Sequence, residues 1–122
     1  KEGYDLKDFG TDTTESVDYP EFGHAVAEVI GKEEFDFGIT ICGSGNGISM
    51  TANKHKNIRA AICWNQEISE LARAHNNANI CALPGRFLTI EEAIMILDTI
   101  MQTTFDGGRH DRRIKKIPIR EF

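Results

Sequence analysis

Apolar and polar positions along this chain follow two alternating periods. Tyr4-Asp5-Leu6-Lys7-Asp8-Phe9 alternates with period two, which predicts a half-buried strand. Asp18 ahead of Tyr19-Pro20 predicts a helix start. Phe22, Val26, Val29 and Ile30 then share one face, and Gly31 is the C-terminal glycine. Phe37 to Cys42 is an apolar, β-branched run that reads as a buried strand. It passes into three alternating glycines and a helix-compatible segment, Ile48 to Asn53. Ile58 to Cys63 predicts a short buried strand, and Asn65 a cap for a helix from Glu67 to His75. Asn76 to Asn79 tolerates turns, and Ile80 to Leu83 is a further strand stopped by Pro84-Gly85. Thr89-Ile90-Glu91-Glu92 matches a capping box, with Ile90, Ile94, Leu97 and Met101 continuing at helical spacing. Phe105 to Gly108 breaks that helix. Arg109 to Lys116 predicts one or two basic helical turns, and Ile117-Pro118-Ile119 an extended end.

Strands alternating with helices imply right-handed crossovers, hence an α/β fold with a parallel sheet and helices on both faces. At 122 residues, without internal repeats or low-complexity stretches, the chain is one domain, 1–122. The net charge of −5 argues against nucleic acid as a partner, because neutralising phosphates takes a basic face. Basic residues do gather at Arg109, Arg112, Arg113, Lys115, Lys116 and Arg120. That cluster reads either as a solvated tail or as a local anion site. Cys42, Cys63 and Cys81 are odd in number and lack short paired spacing. This fits reduced thiols in a cytoplasmic protein and argues against both a disulfide framework and a metal site. No apolar run reaches the roughly 20 residues that a membrane span needs.

The chemistry concentrates at Cys42-Gly43-Ser44-Gly45-Asn46-Gly47. Glycines permit positive φ and close ligand approach, and successive N–H groups at such a turn form an anion-binding concavity. Cys42 stands at the carboxyl end of its strand, where open α/β sheets place ligands. A thiol beside backbone donors is a usable base or nucleophile, although a buried structural cysteine after a structural turn has the same pattern. The loop is not a P-loop, since no Gly-Lys-Ser/Thr follows it. Nor is it a good dinucleotide fingerprint: the next strand ends in Cys63-Trp64-Asn65, with no carboxylate for a ribose. Cys63 and Cys81 read as core, and His24 and His55 as surface residues. His75 reads as a helix C-terminal residue favoured by the dipole. Arg109 and Arg113, four apart, share a helical face.

The segment Cys42 to Ser49 resembles the catalytic loop of the type B ribose-5-phosphate isomerases and the related galactose-6-phosphate isomerases. Asp8-Phe9-Gly10-Thr11, Val17-Asp18-Tyr19-Pro20, Ala52-Asn53-Lys54, Ile58-Arg59-Ala60-Ala61, Ala74-His75-Asn76, Asn79-Ile80 and Gly107-Gly108-Arg109-His110 follow in order. The resemblance implies a Rossmann-like three-layer α/β/α sandwich without a cofactor. It implies a homodimer or homotetramer whose active sites are shared between subunits, acting on a small sugar phosphate. Cys42 is then the base that moves a proton between C2 and C1. Gly43, Ser44, Gly45, Asn46 and Gly47 hold the enediolate, and Ser44 stands where the family often has threonine. His75 is the acid/base of ring opening, Asn76 holds sugar hydroxyls, Arg109 and Arg113 hold the phosphate, and Tyr19 walls the pocket.

The resemblance thus implies interconversion of ribose 5-phosphate and ribulose 5-phosphate through a cis-enediolate. Galactose or allose 6-phosphate is the alternative substrate, and a non-catalytic phosphosugar-binding module the alternative from another class. One departure stands out: family members begin with a strand and an Asp-His-Ala-Gly segment that this sequence does not contain. The expectation is a native protein longer by roughly 20 residues, as a strand-plus-helix unit requires.

Overall fold

A computed structural model describes residues 3–119. In chain order the elements are α1 (Tyr19–Gly31), β1 (Gly38–Cys42), α2 (Asn46–Ala52), β2 (Ala60–Ile62), α3 (Gln66–Ala74), β3 (Ile80–Pro84), α4 (Ile90–Gln102) and α5 (Arg109–Ile114). The three strands are parallel in the order β1-β3-β2, as the α/β alternation predicts. β3 is buried at every position because it has a strand on each side and helices on each face. Ile80 joins Ala27 and Ile30 of α1 and Ala52 of α2 in one core cluster. Its neighbours Cys81 and Leu83 join Ile96 and Ile100 of α4 in the other. Ile96 and Ile100 are each 2% exposed, and burying a side chain of this size contributes about 1.5–3 kcal/mol.

Side chains finish what the ladders leave open. Asn53 pairs with β2 as a strand would, accepting from Ala60 N at 2.8 Å and donating to Ala60 O at 2.9 Å. Asn79 does the same at the amino ends of the strands, accepting from Arg59 N and donating to Asn57 O, both at 2.7 Å. The predicted caps of two helices are present. Asn65 accepts from Ile68 N, and Thr89 and Glu92 close a full capping box.

Several expectations are corrected. Residues 4–9 form no strand: all but Phe9 are exposed, and Phe9 packs edge-on against Phe35 with ring centroids 6.0 Å apart. Alternation makes a strand only where a neighbour supplies the ladder. Here a groove of about 490 Å³ lies between residues 5–11 and β1. For the same reason β1 is buried on one face only. Gly38 and Thr40 point inward, while Ile39 and Ile41 are 39% and 67% exposed.

On α4 the buried stripe runs through Ala93, Ile96, Leu97 and Ile100. Ile90, Ile94 and Met101 face outward, because Cys81 and Leu83 meet the helix one residue away from the predicted stripe. Asp18 makes no side-chain cap bond, and the left-handed residue after α1 is Glu33 (φ 59) rather than Gly31. The expected extended end begins in a turn, with Ile117 N donating to Ile114 O at 3.0 Å, and Arg120 lies outside the described residues. Among the described residues, no helix is long and apolar enough to cross a membrane.

Candidate active site

Cys42 ends β1 opposite Pro84, and the turn that follows Pro84 clamps the glycine loop. Gly85 N donates to Cys42 O at 2.8 Å and Arg86 N to Gly43 O at 3.0 Å. Gly45 adopts φ +79 and caps α2, a conformation that costs an ordinary residue about 1–2 kcal/mol. Ser44 Oγ accepts from Asn46 N at 3.2 Å and from Asn46 Nδ2 at 3.1 Å, which tightens the turn. The N–H groups of Gly47 and Ile48 fall in the first turn of α2, where the helix itself offers no acceptor. A Cβ built on Gly47 would come within 2.7 Å of Tyr19 Oη, so the tyrosine ring lies directly on the loop. Half-buried Cys42 opens on the same cavity as Tyr19, Thr11 and Thr40. Thr40 Oγ1 is buried there without a hydrogen-bond partner.

Arg86 belongs to this site and sequence reasoning missed it. Its Nε lies 3.1 Å from the position of a Cβ on Gly43, so its guanidinium stands beside the loop. The signal was the Pro84-Gly85-Arg86 turn, which the sequence reading treats only as a strand stop.

A second cluster forms where α3 ends. His75 is the C-cap of α3, as predicted, and donates its backbone N–H to Leu71 O at 2.9 Å. Its ring stacks on that of His110 with centroids 4.2 Å apart and planes 11° apart. His75 Nε2 lies 3.8 Å from Asp106 Oδ2. The basic segment folds as α5, which presents Arg109 and Arg113 four residues apart, both exposed like Asn76. Loss of hydration first, and then the charges of His75 and Arg109, hold His110 below its ordinary value.

Sequence reasoning missed Asp106 and assigned no role to His110, although His110 sits inside a family motif. The ligand atoms of His75, Asp106 and His110 lie within 4.8 Å of one another, the one such grouping among the described residues. Two parallel stacked rings aim their lone pairs side by side rather than at one point. The arrangement therefore suits proton handling better than coordination.

These two clusters are not brought together within one chain. Cys42 and the loop stand at the carboxyl ends of the strands. Helix α3 runs back from β2, so His75 lies near the amino end of β3, where Asn79 meets Arg59. A five-residue strand separates those ends by roughly 13 Å.

The remaining candidates are structural. Cys63 and Cys81 are buried as expected, and the neighbouring sulfur together with burial pushes the Cys81 thiol up. His24 and His55 are not independent surface residues, for their Nδ1 and Nε2 atoms lie 2.6 Å apart.

Residues 1–117 match the family model described as Ribose/Galactose Isomerase. The chain is 46% identical over 101 residues to a probable ribose-5-phosphate isomerase B of Mycoplasma genitalium, covering 82% of this chain and 66% of that protein. Its structure superposes with a TM-score of 0.93 on the crystal structure of a ribose 5-phosphate isomerase from Thermotoga maritima. That protein is 51% identical, with 95% of this chain and 80% of that one covered. Superposition on ribose-5-phosphate isomerase B of Mycoplasma genitalium with bound ribulose-5-phosphate gives a TM-score of 0.86. The identity there is 44%, over 88% of this chain and 72% of that one.

Proposed function

Because this chain belongs to the ribose/galactose isomerase family, we propose that it interconverts ribose 5-phosphate and ribulose 5-phosphate. The observation that carries the reading is Cys42 at the mouth of the glycine loop, opening on the cavity that Tyr19 walls. The Cys42 thiolate takes the proton from C2 of the open-chain aldose and returns it to C1, while the hydroxyl proton passes from O2 to O1. Negative charge on the oxygen of the intermediate meets the N–H groups of Gly47 and Ile48, with the Arg86 guanidinium beside the loop. No redox partner is consumed, since the same atoms are rearranged.

The furanose must first be opened. His75 gives a proton to the ring oxygen as the C1–O bond breaks, and the C1 hydroxyl proton leaves to water. Arg109 and Arg113 bind the dianionic phosphate, whose remote binding energy orients the reacting end. Asn76 holds sugar hydroxyls.

The separation of Cys42 from His75 along the sheet supports an active site made by two copies of the chain. One copy supplies Cys42, the loop, Tyr19 and Arg86. The other supplies His75, Asn76, Arg109 and Arg113. A homodimer is the smallest assembly that satisfies this, and three free thiols suit a cytoplasmic setting.

The test is proton NMR of ribose 5-phosphate in D2O with this protein. The expected result is appearance of ribulose 5-phosphate with deuterium entering at C2. Binding without exchange would overturn the catalytic reading.

A further inference from the structure

Asp106 is held where it can control the His75 ring. Its backbone N–H donates to Ala74 O at 2.9 Å, which pins the residue to the end of α3 next to His75. Its carboxylate faces His75 from the side of Nε2, with Oδ2 at 3.8 Å. The chain then reverses through Gly107 (φ +68) and Gly108 (φ +56), conformations open to glycine, and α5 lays the His110 ring over His75. The imidazole is therefore bounded by a carboxylate at one edge and a parallel ring on one face. Asp106 and His110 are the titratable groups against it, and Arg109, Asp106 and Arg113 are the charges that act on the stacked His110 ring.

We propose that Asp106 is the positioning residue of His75. Its carboxylate fixes Nε2–H as the side of the ring turned to the protein and leaves Nδ1 for the sugar, while the stacked His110 ring blocks rotation. At 3.8 Å the carboxylate stands just outside hydrogen-bond distance of Nε2, and once closed on that nitrogen it selects the tautomer without itself taking the proton. His110 suits the role of inert wall, because loss of hydration, and then the charges of His75 and Arg109, disfavour its own protonation. The assignment deepens the proposed function, since it rests on His75 being the group that opens the ring.

The experiment separates ring opening from proton transfer at carbon. Ribose 5-phosphate must be opened before its C2 proton is removed, whereas ribulose 5-phosphate, with O5 esterified, has no furanose to open and exchanges its C1 proton with D2O through the enediolate alone. Asp106→Asn is expected to lower turnover of ribose 5-phosphate on the order of tenfold or more. It is expected to leave the C1 exchange of ribulose 5-phosphate within about twofold, and Asp106→Glu to recover most of the loss. Equal loss of turnover and of exchange would mark a structural role and overturn the proposal, as would no loss in either. The ¹⁵N spectrum of the His75 ring gives a readout that needs no activity. The Nε2–H tautomer is expected in the native protein and a mixture in Asp106→Asn; an unchanged spectrum overturns the proposal. If His75→Gln keeps full turnover of ribose 5-phosphate, the ring-opening role of His75 fails, and the ¹⁵N comparison still decides whether Asp106 orients the ring.

Discussion

The ring of Tyr19 occupies the space that a side chain at Gly47 would fill, a Cβ there falling within 2.7 Å of Tyr19 Oη. Tyr19 is 44% exposed at the first turn of α1, so the ring can swing out into solvent. Alanine at position 47 gains about 1 kcal/mol of helix propensity in α2, against the roughly 1–3 kcal/mol that overpacking costs. The balance runs from neutral to about 2 kcal/mol unfavourable. Gly47→Ala is therefore expected to lower thermal stability by no more than that and to lower kcat/KM, with the pocket wall displaced. A thermal melt alongside steady-state kinetics checks this, and a Tyr19→Ala/Gly47→Ala double variant should melt no lower than Tyr19→Ala alone.

Cys42 is the only ionisable side chain among the residues of the glycine loop. Cys42→Ala is expected to reduce exchange at C2 by on the order of 10²–10⁴, the usual contribution of a positioned base, while leaving sugar-phosphate binding largely intact. Deuterium incorporation and calorimetry measure the two separately. Near-native exchange in the variant would refute the assignment of the base.

The proposed sharing of the active site between two copies of the chain has an arithmetic consequence. Cys42→Ala and His75→Gln chains are each defective alone, yet a mixed dimer carries one intact site. Random mixing in equal amounts, after dissociation and reassembly, should restore about a quarter of native activity. No recovery, in dimers shown to have exchanged subunits, would place both residues in one chain's site.

Acid should loosen the second cluster. The pKa of His110 lies below its ordinary 6.5 in the folded chain, so the folded state binds this proton less readily than the unfolded one. Its stabilising contribution is full above the unfolded value and is lost as pH falls through the lower folded value. Relative to His110→Gln, the native protein is expected to lose stability as pH falls from above 6.5 to below it. A parallel pH dependence of the two melting temperatures would contradict this.

Local chemistry alone determined most of the elements and half of the site. The capping box at Thr89, the Asn65 cap, the glycines after Cys42 and the apolar run at Ile80 act through neighbours a few residues away, so their meaning is legible in the chain. Burial was not legible to the same degree. The outward turn of Ile90, Ile94 and Met101 depends on where Cys81 and Leu83 lie, which no periodicity along α4 can state. Tyr4 to Phe9 has a strand's alternation and no ladder, because pairing needs a partner. Arg86, Asp106 and His110 were passed over for the same reason, since their partners Gly43 and His75 are distant in sequence or across a reversal of the chain. Only the tertiary structure could place Cys42 and His75 at opposite ends of the sheet. A parallel strand and its return helix carry consecutive motifs to opposite edges, whatever residues those motifs contain.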